Sequence, residues 1–155
     1  MRTEDWPAVS MVYEEGIAGR QATFETEVPD WDAWDRSHLA DHRLVAVEDE
    51  RVVGWAALAP VSQRECYSGV AENSVYVASS AHGRGIGRAL LERLVADADR
   101  GGIWTIRAGV FPENEASVAL HLGCGFRAVG TSERLARLDG EWRDVLFLER
   151  RSEEV

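Results

Sequence analysis

The run His82-Gly83-Arg84-Gly85-Ile86-Gly87-Arg88 sets glycines at alternate positions beside a histidine and two arginines. Before it stand Val75, Tyr76 and Val77, which read as the end of a buried strand. After it, Ile86, Leu90, Leu91, Leu94, Val95 and Ala98 recur at helical spacing. Strand, glycine-bearing loop from Ala78 to Gly87, and helix together form an anion cradle. The first N–H groups of a helix lack internal partners and carry the positive end of its dipole. Glycine lets a phosphate approach that backbone closely. The chemistry this spacing supports is pyrophosphate binding. A Walker loop needs Gly-Lys-Ser/Thr, and no lysine occurs between Ala78 and Gly87. A dinucleotide fingerprint needs Gly-x-Gly-x-x-Gly in the first β-α-β unit, whereas two helices are predicted ahead of this one.

The elements that must position the cradle follow from periodicity and punctuation. Met1 to Thr3 reads as a short first strand. Asp5 caps a helix carrying Trp6, Val9, Val12 and Tyr13, with Pro7 in its first turn. Gly16 to Val28 reads as a loop, and Asp30 caps a second helix whose Trp31, Trp34, His38 and Leu39 share a face. Leu44–Val47 and Val52–Ala59 form a hairpin through the acidic turn Glu48-Asp49-Glu50, and Pro60 ends it. The irregular segment Ser62–Gly69 leads into a strand from Val70 to Val77. Gly101 and Gly102 stop the central helix, and Ile103–Val110 is the next strand. Asn114 caps a helix through Gly123. Phe126–Arg134 and Trp142–Leu148 close the chain around a turn at Asp139-Gly140. The expected order is β-α-α-β-β-β-α-β-α-β-β, a mixed α/β fold whose sheet cannot be wholly parallel.

Bulk properties bound the function. The 155 residues suit one domain spanning 1–155, with 45% hydrophobic and 28% charged residues, as in ordinary globular proteins. A net charge of −10 argues against nucleic acid or an anionic membrane as the main partner. A local cradle can still bind an anionic cofactor against that field. No apolar run reaches membrane-spanning length and no leader-like start is seen, so a cytoplasmic protein is expected. Cys66 and Cys124 are far apart and lack metal-ligand spacing, so neither a metal nor a disulfide framework is expected.

The loop resembles that of the GNAT superfamily of acyl-CoA-dependent N-acetyltransferases, whose pattern is Gln/Arg-x-x-Gly-x-Gly/Ala between a strand and the following helix. His82 stands at the first position, and Gly85 and Gly87 fit. Asn114-x-x-Ser117 and Leu122-Gly-Cys-Gly-Phe126 downstream strengthen the likeness. Within the superfamily the chain is similar to the phosphinothricin N-acetyltransferase branch, which includes methionine sulfoximine acetyltransferases. The stretches that carry this are Ala22-Thr23-Phe24-Glu25, Arg64-x-x-Tyr67, Glu72-x-Ser74-Val75-Tyr76-Val77, and Leu138-x-Gly140-x-Trp142-x-Asp144-Val145 with Phe147. The resemblance spans about Trp6 to Leu148. It implies the GNAT acyl-CoA N-acyltransferase fold, a mixed, mostly antiparallel central sheet flanked by helices, with acetyl-CoA as cofactor and a homodimer.

The resemblance also assigns roles. Acetyl transfer needs a neutral amine, a proton acceptor for it, and a proton for the departing thiolate. Glu72 matches the branch's general base, acting through a water, and partial burial would raise its pKa toward the task. The alternative is a solvated carboxylate on a strand. Backbone groups of Val75, Tyr76 and Val77 would bind the pantetheine arm like an added strand, their side chains belonging to the core. His82, Gly83, Arg84, Gly85, Ile86, Gly87 and Arg88 would hold the pyrophosphate. Asn114 and Ser117 match the pantetheine-contacting segment, although Asn114 is equally well read as a helix cap. His121 stands seven residues after Asn114, where many members have a tyrosine acid; a structural histidine is the other reading.

The acceptor pocket is expected at Phe24, Glu25, Arg64 and Tyr67, taking a small polar amino acid or analogue as the amine substrate. The branch shows Arg/Lys-x-Arg-x-x-Tyr, and here Ser62-x-Arg64-x-x-Tyr67 keeps one basic residue. Other amines therefore stay open as acceptors: a polyamine, an aminoglycoside or a protein N-terminus. A non-catalytic acyl-CoA-binding domain is the third reading.

Overall fold

The computed structural model describes all residues from Met1 to Val155. Helix α1 runs Trp6–Ala18 and α2 Trp31–Ser37, followed by strands β1 Arg43–Glu48, β2 Arg51–Pro60 and β3 Val70–Val77. Helix α3, Ile86–Arg100, leads to β4 Thr105–Val110, then α4 Glu115–Gly123, and strands β5 Arg127–Leu138 and β6 Glu141–Arg151 complete the chain. The six strands form one sheet in the order β1-β2-β3-β4-β6-β5. Every neighbouring pair is antiparallel except β3 and β4, which are parallel and joined by α3. A parallel pair needs such a crossover, and the amphipathic α3 supplies it.

The predicted strand at Met1–Thr3 is not formed. Thr3–Asp5 is instead a single 3₁₀ turn feeding α1, and the Met1 ammonium donates one hydrogen bond to the Arg43 carbonyl at 2.9 Å. One bond cannot hold a strand, so the sheet has six strands where the sequence reading has seven. Asp5 turns its carboxylate back to the Arg2 N–H at 2.6 Å and does not cap α1. Asp30 does cap α2, accepting from the Ala33 N–H at 2.8 Å. Helix α2 ends at Ser37, two residues short of the predicted face, yet the His38 ring still stacks on Trp34 with centroids 4.1 Å apart. His42, in the link from α2 to β1, is buried with its ring against Gly101 at the end of α3. β5 runs past Arg134 to Leu138 because its ladder with β6 resumes after an irregular stretch between Ser132 and Ala136.

The sheet divides the core in two. On one face α3 lays Leu90, Leu91, Leu94 and Ala98 against Ala56, Leu58, Ala71, Ile106 and Leu148. On the other, α1 and α2 pack Val9, Val12, Tyr13 and Trp34 around Trp55 and Ala57. Strand β3 lies between them, so its alternating side chains serve both faces. Val75 meets the first cluster, Tyr76 the second, and Val77 touches both. No helix is long and apolar enough to cross a membrane.

Candidate active site

β3 and β4 pair over only three positions, Val70↔Thr105, Ala71↔Ile106 and Glu72↔Arg107. Past Glu72, β3 stays bound to β2 as far as Gly54↔Val77, while β4 follows β6 as far as Val110↔Leu146. The two strands fork, and the β3 edge from Asn73 to Val77 that faces β4 is left without a strand partner. Asn73 spans the crotch of the fork, donating from Nδ2 to the Arg107 carbonyl at 3.1 Å.

The loop after β3 is held open in one shape. The His82 ring reaches back from Nε2 to the Val77 carbonyl at 2.8 Å, and Glu15 on α1 accepts from the Ser79 N–H at 2.7 Å. Gly83 and Gly85 have φ of +75° and +78°, and a Cβ at either would meet no protein atom within 4 Å. No backbone carbonyl takes the N–H groups of Gly83, Arg84 or Gly85. Those of Ile86, Gly87 and Arg88 open α3, where no carbonyl precedes them. The result is a row of unpartnered donors beside vacant space, which fits an anionic group. Arg84 is paired with Glu48 at 2.9 Å and Arg88 with Glu92 at 2.7 Å. Asn114 caps α4, accepting from the Ser117 N–H at 3.1 Å, and donates from Nδ2 to the Gln21 carbonyl at 3.0 Å.

Below the fork, a cavity of about 390 Å³ has Glu72 and Ser74 of β3, Arg107 of β4 and Phe147 of β6 around it, with Ala59–Val61 as its wall. The Glu72 carboxylate takes part in no ion pair, and burial raises its pKa, partly offset by the Arg107 charge. A larger hollow of about 430 Å³ beneath α1, lined by residues such as Trp6, Glu14 and Glu27, includes no residue of the fork or the loop.

On the opposite face of β3, His121 of α4 is buried against Phe126. Its Nδ1 lies 2.7 Å from the Ser117 carbonyl and its Nε2 3.1 Å from Asn73 Oδ1. Both partners are acceptors, so the neutral ring donates to one of them and only the doubly protonated ring serves both. Burial lowers the His121 pKa, with the Ser117 bond as a weaker opposing effect.

A profile of the acetyltransferase (GNAT) family matches residues 5–126. The chain belongs to the GNAT acetyltransferase family. It is 34% identical to a phosphinothricin N-acetyltransferase of Alcaligenes faecalis, over 97% of this chain and 79% of that one. It is 30% identical to an L-methionine sulfoximine/L-methionine sulfone acetyltransferase of Salmonella typhimurium, over 94% and 88%. The fold matches a Salmonella typhimurium acetyltransferase solved with acetyl-CoA at a TM-score of 0.92 and 29% identity, covering 100% of this chain and 92% of that one.

The acetyltransferase brings only part of the predicted acceptor pocket together. Phe24 packs edge-on against Phe111, at 4.9 Å between centroids, in the small cluster that Phe147 also joins. Glu25 lies near Tyr13 and Tyr76, and its charge adds to the burial that pushes Tyr13 up to about 12. Arg64 and Tyr67 pair with each other, 5.7 Å from guanidinium to ring centroid, and neither lines the Glu72 cavity. Arg107 and Asn73 were not singled out from sequence. The one available signal was a lone charge in the otherwise apolar run Ile106-Arg107-Ala108.

Two expected results concern this geometry. Gly85→Ala places a side chain in left-handed backbone, at a cost of about 1–2 kcal/mol. If that strain falls on the binding-competent loop, KM for acetyl-CoA rises about 5- to 30-fold, measured by steady-state kinetics, with kcat within about twofold. His121 should titrate in an NMR experiment below the ordinary histidine value of about 6.5. The unfolded chain then binds its proton first, so this share of stability is present near neutral pH and is lost as pH falls below about 6.5. His121→Gln should remove that share of the pH dependence in thermal melts.

Proposed function

We propose that this acetyltransferase moves the acetyl group of acetyl-CoA onto the amino group of a small amino acid or amino-acid analogue, as one domain spanning 1–155. Glu72 carries the reading: a desolvated carboxylate, free of ion pairs, in a cavity at the fork of β3 and β4. The names of the phosphinothricin and methionine sulfoximine relatives support the acceptor class. When bound, acetyl-CoA supplies an activated acetyl thioester.

The chain's own residues then have separate tasks. The unpaired β3 edge at Val75, Tyr76 and Val77 presents backbone N–H and C=O groups to an extended pantetheine arm. The N–H groups from Gly83 to Arg88 receive the pyrophosphate, with Arg84 and Arg88 able to exchange Glu48 and Glu92 for it. His82 braces this loop through Val77 O. Asn114 and Ser117 flank the pantetheine arm at the start of α4.

Glu72 takes a proton from the acceptor's ammonium, through a water, leaving the neutral amine that attacks. A pKa raised by burial brings this base nearer the operating pH. His121 gives the departing thiolate its Nε2 proton from the doubly protonated ring, Nδ1–H staying on the Ser117 carbonyl, and is left as neutral imidazole. Phe24, Glu25, Arg64 and Tyr67 belong to the outer part of the acceptor site. Dependence on acetyl-CoA supports a cytoplasmic location. Exposed Val129, Leu135 and Trp142 on the β5–β6 hairpin support a homodimer.

Thiol release from acetyl-CoA tests the reading, with phosphinothricin, methionine sulfoximine, methionine sulfone and ordinary amino acids as acceptors. At least one should stimulate release well above the hydrolytic background. Stimulation by none of them overturns the acceptor assignment.

A further inference from the structure

The Glu72 cavity contains a cation that no protein anion uses. Arg107 takes part in none of the nine ion pairs of the protein. Its register neighbours are Glu72 on β3 and Glu149 on β6. Glu149 is paired with Arg127 instead, and Glu72 comes no closer than the limit of an ion pair. The Arg107 guanidinium rests over the Phe147 ring, 5.5 Å from its centroid. An aromatic face holds a guanidinium in place while leaving its hydrogen-bonding edge free. Arg64, the basic residue expected to serve this pocket, is stacked on Tyr67 and does not line the cavity.

We propose that Arg107 binds the α-carboxylate of the acceptor and so restricts the enzyme to α-amino acids. The inference rests on the amine-transfer reading above. Glu72 and Arg107 are direct neighbours on adjacent strands, about 4.8 Å apart along the hydrogen-bonding direction, and both line one cavity. An α-amino acid carries its ammonium and carboxylate two bonds apart, which matches one acid and one guanidinium side by side. Its ammonium faces Glu72, and its carboxylate accepts the paired N–H groups of the guanidinium. A polyamine or aminoglycoside would bring a second cation against Arg107 and be repelled. The cation missing at Ser62 is thus supplied from β4, on a strand that is remote in sequence.

The test compares L-methionine sulfone with its carboxamide, which keeps the amine and side chain but lacks the anion. The wild type should prefer the carboxylate about 10- to 100-fold in kcat/KM, the range of a charge-assisted pair. Arg107→Gln should raise KM for L-methionine sulfone by a similar factor. KM for acetyl-CoA, KM for the carboxamide and Tm should stay near wild type, so the preference collapses; Arg107→Lys should restore part of it. Retained preference in Arg107→Gln overturns the proposal. So does an equal loss with both substrates, which would mark a structural role or an effect through Glu72 alone. If the wild type acetylates neither compound, the transfer reading fails for that acceptor, and calorimetry decides the binding site separately. L-methionine sulfone binding to the wild type with CoA present, abolished in Arg107→Gln, supports the proposal; no binding, or equal binding, overturns it.

Discussion

Replacing Glu72 with glutamine should lower kcat about 10²- to 10³-fold at neutral pH, the contribution of a positioned general base. KM for acetyl-CoA should stay within about twofold, because the backbone loop and the β3 edge are untouched. The wild-type kcat/KM should rise with pH through the Glu72 pKa, which burial sets above the ordinary carboxylate value. That limb should vanish in Glu72→Gln. Stability moves the other way. In the window between the unfolded and the raised folded pKa, the native state binds more protons, so ionising Glu72 costs stability as pH rises. Glu72→Gln should therefore melt at or above the wild-type Tm near neutral pH. A variant with unchanged turnover, or one whose acidic limb persists, would remove Glu72 as the base.

The largest stability effect is expected at Trp55. It is buried in the middle of β2, stacked on Tyr76 at 4.8 Å between centroids, and flanked by Tyr13 at 5.2 Å and Trp34 at 5.7 Å. Trp55→Ala leaves a cavity between two helices and the sheet and should cost about 3–5 kcal/mol in urea denaturation. Tyr76 loses its stacking partner on the strand whose unpaired edge is proposed to take the pantetheine arm, so KM for acetyl-CoA should rise as well. Trp55→Phe should cost clearly less than its lost volume suggests. The indole Nε1–H is buried without a hydrogen-bond partner, and phenylalanine removes that unsatisfied donor, worth about 1–3 kcal/mol. Equal losses for the alanine and phenylalanine variants would contradict this account.

Most of the fold was legible because its signals are local. The alternating glycines, the helical stripe from Ile86 to Ala98 and the Pro and Gly punctuation each act within a few residues. They placed α3, α4, the β1–β2 hairpin and the strand ending at Val77 within one or two residues. The errors arose where pairing decides. Met1–Thr3 has strand-like neighbours but finds a single hydrogen bond at Arg43, and β5 outruns its apolar pattern because β6 continues beside it. His121 shows the same limit within the site. Its spacing from Asn114 was readable, whereas its ties to Ser117 and Asn73 depend on how α4 rests on the fork.

The sequence alone pointed to the kind of ligand, because alternating glycines before an amphipathic helix are a local backbone signal written in consecutive residues. It pointed to the family through the resemblance carried by that loop and the stretches around it. Only the tertiary structure brought a carboxylate and a guanidinium together in the cavity proposed as the acceptor site. Glu72 and Arg107 are 35 positions apart in the chain and become neighbours through the parallel β3–β4 pairing. That register is set by the α3 crossover and by which faces of both strands must be buried. No pattern in either strand by itself encodes it.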